Sequence, residues 1–262
     1  LVSQQTPDGG LTNFWYDYKH ELRFSQNAQQ LAQKKYSYTK YDNLGRVIEV
    51  GESSKDSTTF TDSINNVGFP TYGEQRTYTV YSEAASGIYY LGSQAQTFLQ
   101  NRVSYTYTDG GVYTYYSYDP QGNVKWLIQD IPGLDKNYVG YTYDQISNKV
   151  LQVDYNSSQA GQFHQRYRYD ADQRLLTVQT SQGAYLWDND ATYKYYLHGP
   201  LQRLAIGQDH IQGRDEGETS EGGIKGSNYV TGNANDYPGH DNNNDFCKDA
   251  FGMVLSYDGA DF

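Results

Sequence analysis

Residues 41–50 read YDNLGRVIEV, and the same phrase returns along the chain. Its other copies are WYDYKHELRF (15–24), SYDPQGNVKWL (117–127), TYDQISNKVLQV (142–153), RYDADQRLLTV (168–178) and KYYLHGPLQRLAI (194–206). Each copy has a marker tyrosine, usually followed by aspartate, then a turn-like tetrad and a short apolar run. The markers are Tyr16, Tyr41, Tyr118, Tyr143, Tyr169 and Tyr195, at spacings of 25, 77, 25, 26 and 26. A fixed period in this range is the signature of a repeat architecture. The interval of 77 is close to three periods, so two unmarked units are expected between Tyr41 and Tyr118.

Each copy reads as a β-hairpin. Phe14, Tyr116, Tyr141, Tyr167 and Tyr193 stand two residues before a marker, which places both rings on one strand face. Asp42 and Asp119 can accept bonds from backbone amides two residues on, and Gly45, Gly122 and Gly199 can take positive φ; Asp17, Asp144 and Asp170 hold the same repeat position as Asp42. His20, Ser147 and Gln173 hold that glycine's place in the other copies, and one extra residue before Val150 suggests a bulge there. The turns are expected at 42–45, 119–122, 144–147, 170–173 and 196–199. Within the irregular insert at about 51–115, QRTYTVYS (75–82) and NRVSYTYT (101–108) alternate as strands do and predict a further hairpin. Helix is nearly absent: FSQNAQQLAQKKYSY (24–38) has helix-forming residues, but Leu31 has few apolar neighbours at helical spacing.

The fold class is therefore all-β. Lone hairpins are marginal in water, whereas hairpins at constant pitch stack edge to edge into a strip. The strip covers 1–206, and 207–262 reads as its loop-rich continuation; residues 213–227, GRDEGETSEGGIKGS, are Gly- and acid-rich and read as a loop. The ends of such a strip expose unpaired edges, so further repeats of the same chain or a partner are expected to cover them.

Composition narrows the function. Among 262 residues there are 29 Tyr, 9 Phe and 3 Trp, and the net charge is −11. Mean hydropathy is −0.84, so burial must come largely from tyrosine rings with wet or bonded hydroxyls. The acidic balance disfavours nucleic acid and anionic membranes, and no apolar run approaches the ~20 residues of a membrane span. The single cysteine, Cys247, excludes an internal disulfide and a Cys-based zinc site.

Tyr-Asp, two free residues, Gly-Arg and an aliphatic run make a phrase that resembles the YD repeat of the Rhs family; residues 41–50 match it fully, and 118–127 and 169–178 in part. LHGPLQRLAIGQDHIQG (197–213) and PGHDNNNDFCKDAFGMVLSYDGADF (238–262) are similar to late segments of Rhs proteins of the Bacteroidetes kind. The resemblance covers residues from about 14 to 262. It implies a β-strip spiralling into a hollow shell that is secreted or at the bacterial cell surface. Polymorphic toxins, insecticidal toxin complexes and teneurins are relatives, and in the toxins the shell encloses a variable toxin polypeptide. It implies a structural role and no enzyme activity. An extracellular adhesin or glycan-binding module using exposed tyrosines is the alternative.

Other motifs are weak. Some Rhs toxins are cut at an Asp-Pro motif by shell aspartates, but Asp119-Pro120 lies in the repeat's own turn. Asp241, Asn243 and Asp245 have the odd spacing of a calcium loop, yet Phe246 and Gly252 stand where Gly and Glu belong, so a polar surface loop is the better reading. His20, His164, His198, His210 and His240 show no ligand spacing, and His198 sits in a repeat turn. Nucleophile-elbow, P-loop and dinucleotide fingerprints are missing, and no cofactor is expected.

Overall fold

Alternation and turn chemistry produce strand after strand in the computed structural model, which describes residues 2–54, 63–88, 95–208, 212–218, 223–227 and 253–255. The chain divides into two units, one ending at Tyr138 and one beginning at Val139. The first unit contains β1 (Ser3–Thr6), β2 (Gly10–Tyr16), β3 (Leu22–Gln26), α1 (Ala28–Gln33), β4 (Lys35–Tyr41), β5 (Val47–Ser54), β6 (Glu74–Tyr81), β7 (Val103–Thr108), β8 (Tyr113–Tyr118) and β9 (Val124–Asp130). Each of these strands pairs antiparallel with the next. The second holds most of β10 (Asn137–Tyr143), then β11 (Val150–Tyr155), β12 (Phe163–Tyr169), β13 (Leu175–Ser181), β14 (Asp188–Tyr195), β15 (Leu201–Ile206), β16 (Gln212–Glu218), β17 (Ile224–Ser227) and β18 (Met253–Val254). These too pair antiparallel in sequence order. No helix among the described residues is long and apolar enough to cross a membrane.

The long interval resolves differently from the two units expected. Among the described residues it holds one hairpin, β6 and β7, at the strands read from 75–82 and 101–108. Its marker is Tyr81, which pairs with Val103 as Tyr41 pairs with Val47. Described residues 63–73 lead into β6, and 82–88 and 95–102 lie between β6 and β7 in the sequence. The Gly- and acid-rich 213–227 contains β16 and β17 rather than a plain loop, because backbone pairing Glu216 to Ser227 asks little of side-chain propensity.

Helix α1 is one short turn built by its caps. Asn27 Oδ1 accepts from Gln30 N at 2.8 Å, Gln30 Oε1 accepts from Asn27 N at 3.1 Å, and Lys34 at φ 55° ends it.

The first connection folds back onto the sheet. Arg23, 3% exposed, donates to the carbonyls of Thr39 (3.0 Å), Ile64 (2.8 Å), Asn66 (3.2 Å) and Phe69 (2.7 Å). These bonds satisfy a buried guanidinium, with Asp17 at 3.8 Å. They also set Ile64 and Phe69 on Phe24, Tyr36, Tyr38 and Trp15, a small aromatic core. The second connection does likewise: Gln96 donates to the carbonyls of Ser104 and Tyr116, each at 2.7 Å, and Thr97 O accepts from Tyr118 N at 3.1 Å. Among the described residues of the second unit Ala205 is the one fully buried hydrophobic.

Candidate functional site

The repeated phrase builds the same turn each time. In the fully matching copy Gly45 N donates to Asp42 O at 3.1 Å, closing a type I turn, and Gly45 takes φ 75° to let Asp42 N reach Arg46 O at 2.9 Å. The Asp42 carboxylate accepts from Leu44 N (2.8 Å), Arg46 N (3.0 Å) and Arg46 Nε (2.7 Å). Asp170 repeats this with Arg174 N at 2.8 Å and Arg174 Nε at 2.7 Å. Asp119 takes Asn123 N and Nδ2 at 2.8 and 3.0 Å, and Asp17 takes the amides of Lys19 and Glu21 at 2.9 and 3.0 Å. His20 and Gln173 adopt φ 65° and 63° where Gly45, Gly122 and Gly199 stand at 75°, 97° and 124°. In the fourth copy the turn runs to 148, and Asn148 at φ 57°, not Ser147, has the left-handed role; Ser147 instead bonds Asp144 through N (2.7 Å) and Oγ (2.9 Å).

Burial alone would raise the Asp42 and Asp170 carboxyls. The amides and guanidiniums of Arg46 and Arg174 outweigh it and hold both below the usual aspartate range. Asp119 is lowered in the same way, against burial, by Asn123, and Asp144 by Ser147.

A bulge follows every turn, not only the fourth. The register slips at Tyr16, Tyr41, Tyr81, Tyr118, Tyr143, Tyr169 and Tyr195. The skipped residues opposite are Arg23, Ile48, Ser104, Lys125, Leu151, Leu176 and Gln202. A bulge disrupts the ladder locally, so a carbonyl beside it needs another donor. The marker phenol of the following repeat supplies it. Tyr41 donates to Leu22 O (3.0 Å), Tyr81 to Val47 O (2.9 Å), Tyr118 to Val103 O (2.8 Å), Tyr169 to Val150 O (3.0 Å) and Tyr195 to Leu175 O (2.9 Å). Burial pushes all five phenols above the ordinary tyrosine value.

The arginine completes the contact. Arg46 lies 4.4 Å over the Tyr81 ring, Arg102 5.5 Å over Tyr118 and Arg174 4.8 Å over Tyr195. Arg174 Nη1 also reaches the carbonyls of Tyr196 (3.3 Å) and Gly199 (3.4 Å) in the next turn. Aspartate therefore aims the arginine, the arginine covers the next marker ring, and that ring's hydroxyl returns to the residue after the arginine. Such a clasp is worth roughly 0.5–1 kcal/mol for the ring contact and about 1 kcal/mol for the hydrogen bond.

Tyr41, Asp42, Arg46, Tyr118, Tyr169, Asp170 and Tyr195 all enter clasps, Gly45, Gly122 and Gly199 shape their turns, and Tyr16 begins the series exposed. Sequence reasoning missed Tyr81 and Arg102, because Ser82 replaces the aspartate and the turn is opened; the Arg102-Val103 pair, echoing Arg46-Val47, was the available signal. It also did not identify a tyrosine ladder. Tyr78, Tyr105, Tyr107, Tyr113 and Tyr115 stack on the face opposite Tyr116 and Tyr118, with Tyr78–Tyr107 at 4.6 Å and Tyr107–Tyr113 at 5.3 Å. His164, also unforeseen, is buried with Nδ1 2.6 Å from Asp154 Oδ1, across the β11–β12 pair. His198 stacks on Tyr196 at 5.3 Å within its turn. Asp241, Asn243, Asp245, His210, His240 and Cys247 lie outside the described residues, and no metal-ligating group of three occurs among the described ones.

No family model and no curated protein matches the chain. Solved structures do. A crystal structure of TcdB2-TccC3-Cdc42 is similar at 12% identity over 86% of this chain and 13% of the other, with TM-score 0.43. A structure of the Photorhabdus luminescens Tc holotoxin pore gives 11%, 86%, 13% and 0.43. This chain thus spans 13% of the length of either. A porin-like protein from Bacteroides uniformis is similar at 8% identity over 90% of both chains, with TM-score 0.35.

Proposed function

We propose that this chain is a wall segment of a large secreted or cell-surface YD-repeat protein whose β-shell encloses or presents another polypeptide, a toxin in the family its phrase resembles. It performs no catalysis of its own. The observation that carries this reading is the clasp: where it forms, the recurring tyrosine, aspartate and arginine of the phrase join one repeat to the next. Carboxylates, guanidiniums and phenols face each other, so the phrase offers nothing to a substrate. The marker-turn tips add support. Leu44 is exposed at such a tip in the first unit and Ile146 and Leu197 in the second, and exposed apolar tips favour cover by further polypeptide.

The ladder favours this reading over glycan binding. Sugars stack on ring faces, and in the Tyr78–Tyr107 and Tyr107–Tyr113 pairs the faces are turned to each other at interplanar angles of 14° and 15°. The test is electron microscopy of the full-length protein encoded by the gene, followed by protease treatment. A β-walled interior that shields an internal polypeptide from protease is expected. A solid or extended particle with no shielded segment would overturn the proposal, and specific retention on a glycan array would replace it with the adhesin reading.

A further inference from the structure

The five-ring ladder involves the hairpin whose marker turn is opened, β6–β7, toward the end away from that turn. Everywhere else the marker turn is short; between Tyr81 and Val103 it is opened into residues 82–102, and Ser82 cannot aim an arginine as Asp42 does. Closing a long connection costs more chain entropy than closing a short one. Tyr78 and Tyr107 sit directly opposite on β6 and β7, rings 4.6 Å apart and 14° from parallel. Tyr107 and Tyr113 continue the stack onto β8, and Tyr105 and Tyr115 run beside it at 5.8 Å. The rings are half-buried, so they are held in place yet within reach of solvent. With one cysteine in the chain, a disulfide cannot staple this hairpin.

We propose that Tyr78 and Tyr107 are an oxidative cross-linking site, closed by a one-electron oxidant of the haem-peroxidase and hydrogen peroxide class. Each phenol loses one electron to the oxidant and its proton to solvent, leaving a phenoxyl radical with spin on the ring carbons ortho to oxygen. Two such carbons then bond. The new bond forms along the p orbitals, perpendicular to the ring planes, which is the direction in which stacked rings face each other. Loss of the two ortho protons to the phenoxyl oxygens restores both aromatic rings as phenols. Overall two tyrosines and one hydrogen peroxide give one dityrosine and two waters. The other ladder rings, at 5.3 to 6.1 Å centroid separations, can pass an initial oxidation to this pair. The product bridges the hairpin across its opened connection, as a disulfide would.

The experiment mixes unlabelled and 15N-labelled protein, oxidises it with a haem peroxidase and hydrogen peroxide, and maps joined peptides by mass spectrometry. The expected product joins Tyr78 to Tyr107, lacks two hydrogens and carries a single isotope label. It should slow hydrogen exchange in β6 and β7 by about tenfold or more. Tyr78→Phe keeps the stacked ring and must abolish both that product and its protection; Tyr113→Phe must leave them intact. Mixed-label products only, joined peptides at the exposed Tyr18 or Tyr185 instead, or ring hydroxylation without joining would each overturn the proposal.

Discussion

Removing one oxygen atom, by Tyr195→Phe, isolates the hydrogen-bonded half of a clasp. The ring stays under Arg174, 4.8 Å away, and only the 2.9 Å bond to Leu175 O is lost. Removing one partner leaves a carbonyl without its donor beside a bulge, at about 1–3 kcal/mol for a buried group. Tyr195 is half-buried, so water recovers part of this and about 1 kcal/mol is expected. A repeat array opens locally, which makes a single global unfolding energy the wrong readout. Amide hydrogen exchange over 170–178 and 195–201 is the right one. One kcal/mol corresponds to roughly fivefold faster exchange there, with no change around the Tyr41–Leu22 contact in the first unit. Arg174→Ala should add to it, since it removes the ring contact and the two carbonyl bonds. Tyr185→Phe, at an exposed tip, is the control. Exchange in Tyr195→Phe no faster than in Tyr185→Phe would refute the clasp as an energetic unit.

Four further outcomes are expected. The folded carboxyls of Asp42, Asp119, Asp144 and Asp170 sit below their unfolded value, so their stabilisation is present above about pH 4 and lost as pH falls through the lower folded values; circular dichroism across an acid titration should show the turns loosening below about pH 4. The marker phenols are raised, so theirs is complete below about pH 10 and lost as pH climbs through the folded values; ultraviolet absorbance should show a fraction of tyrosine ionising late, together with unfolding. Gly122→Ala places a Cβ 2.8 Å from Arg102 Nη2 at φ 97°, so it should displace Arg102 from Tyr118 and speed amide exchange over the 119–123 turn, corresponding to about 1 kcal/mol. Gln173→Gly relieves a non-glycine φ of 63° and should slow exchange in the 170–174 turn, corresponding to about 0.5–1 kcal/mol.

The hairpins were legible because their cues are local. Asp42, Gly45 and the apolar run after it state a turn and a strand within ten residues, and the period repeats the statement. What was hidden depended on pairing. The bulge opposite each marker is a property of backbone register, and no residue type signals it: the skipped position holds Arg23, Ile48, Ser104 and Lys125 in turn. The arginine's target was hidden for the same reason, since Arg46 and Tyr81 are neighbours only after two strands have been laid down. TYTVY and VSYTY announced strands, but which tyrosines stack follows from Tyr78 facing Tyr107 rather than Tyr105. The His164–Asp154 pair likewise has no local spacing to reveal it. Glycine and glutamate in 213–227 pointed away from strand, and edge pairing overrode them.

A strip with few buried hydrophobics draws much of its stability from repeat boundaries, and the clasp explains why tyrosine rather than phenylalanine marks them. Phenylalanine could fill the same volume, but it could not satisfy the carbonyl beside the bulge. Arginine rather than lysine follows similarly, because one planar group must bond an aspartate through Nε and still lie flat over a ring. The phrase is thus read across two units: aspartate and arginine belong to one repeat, and the tyrosine they serve belongs to the next. That asymmetry lets each boundary be tuned alone. The Leu22–Tyr41 and Val150–Tyr169 boundaries have Glu21 and Lys149 where arginine would stand and keep the phenol bond. The Val47–Tyr81 and Leu175–Tyr195 boundaries have both parts. The hairpin whose turn is opened, β6–β7, also carries the Tyr78–Tyr107 stack. Stability in this architecture is nearest-neighbour and additive, so weakening at one joint is met by packing at that joint and not by a core elsewhere.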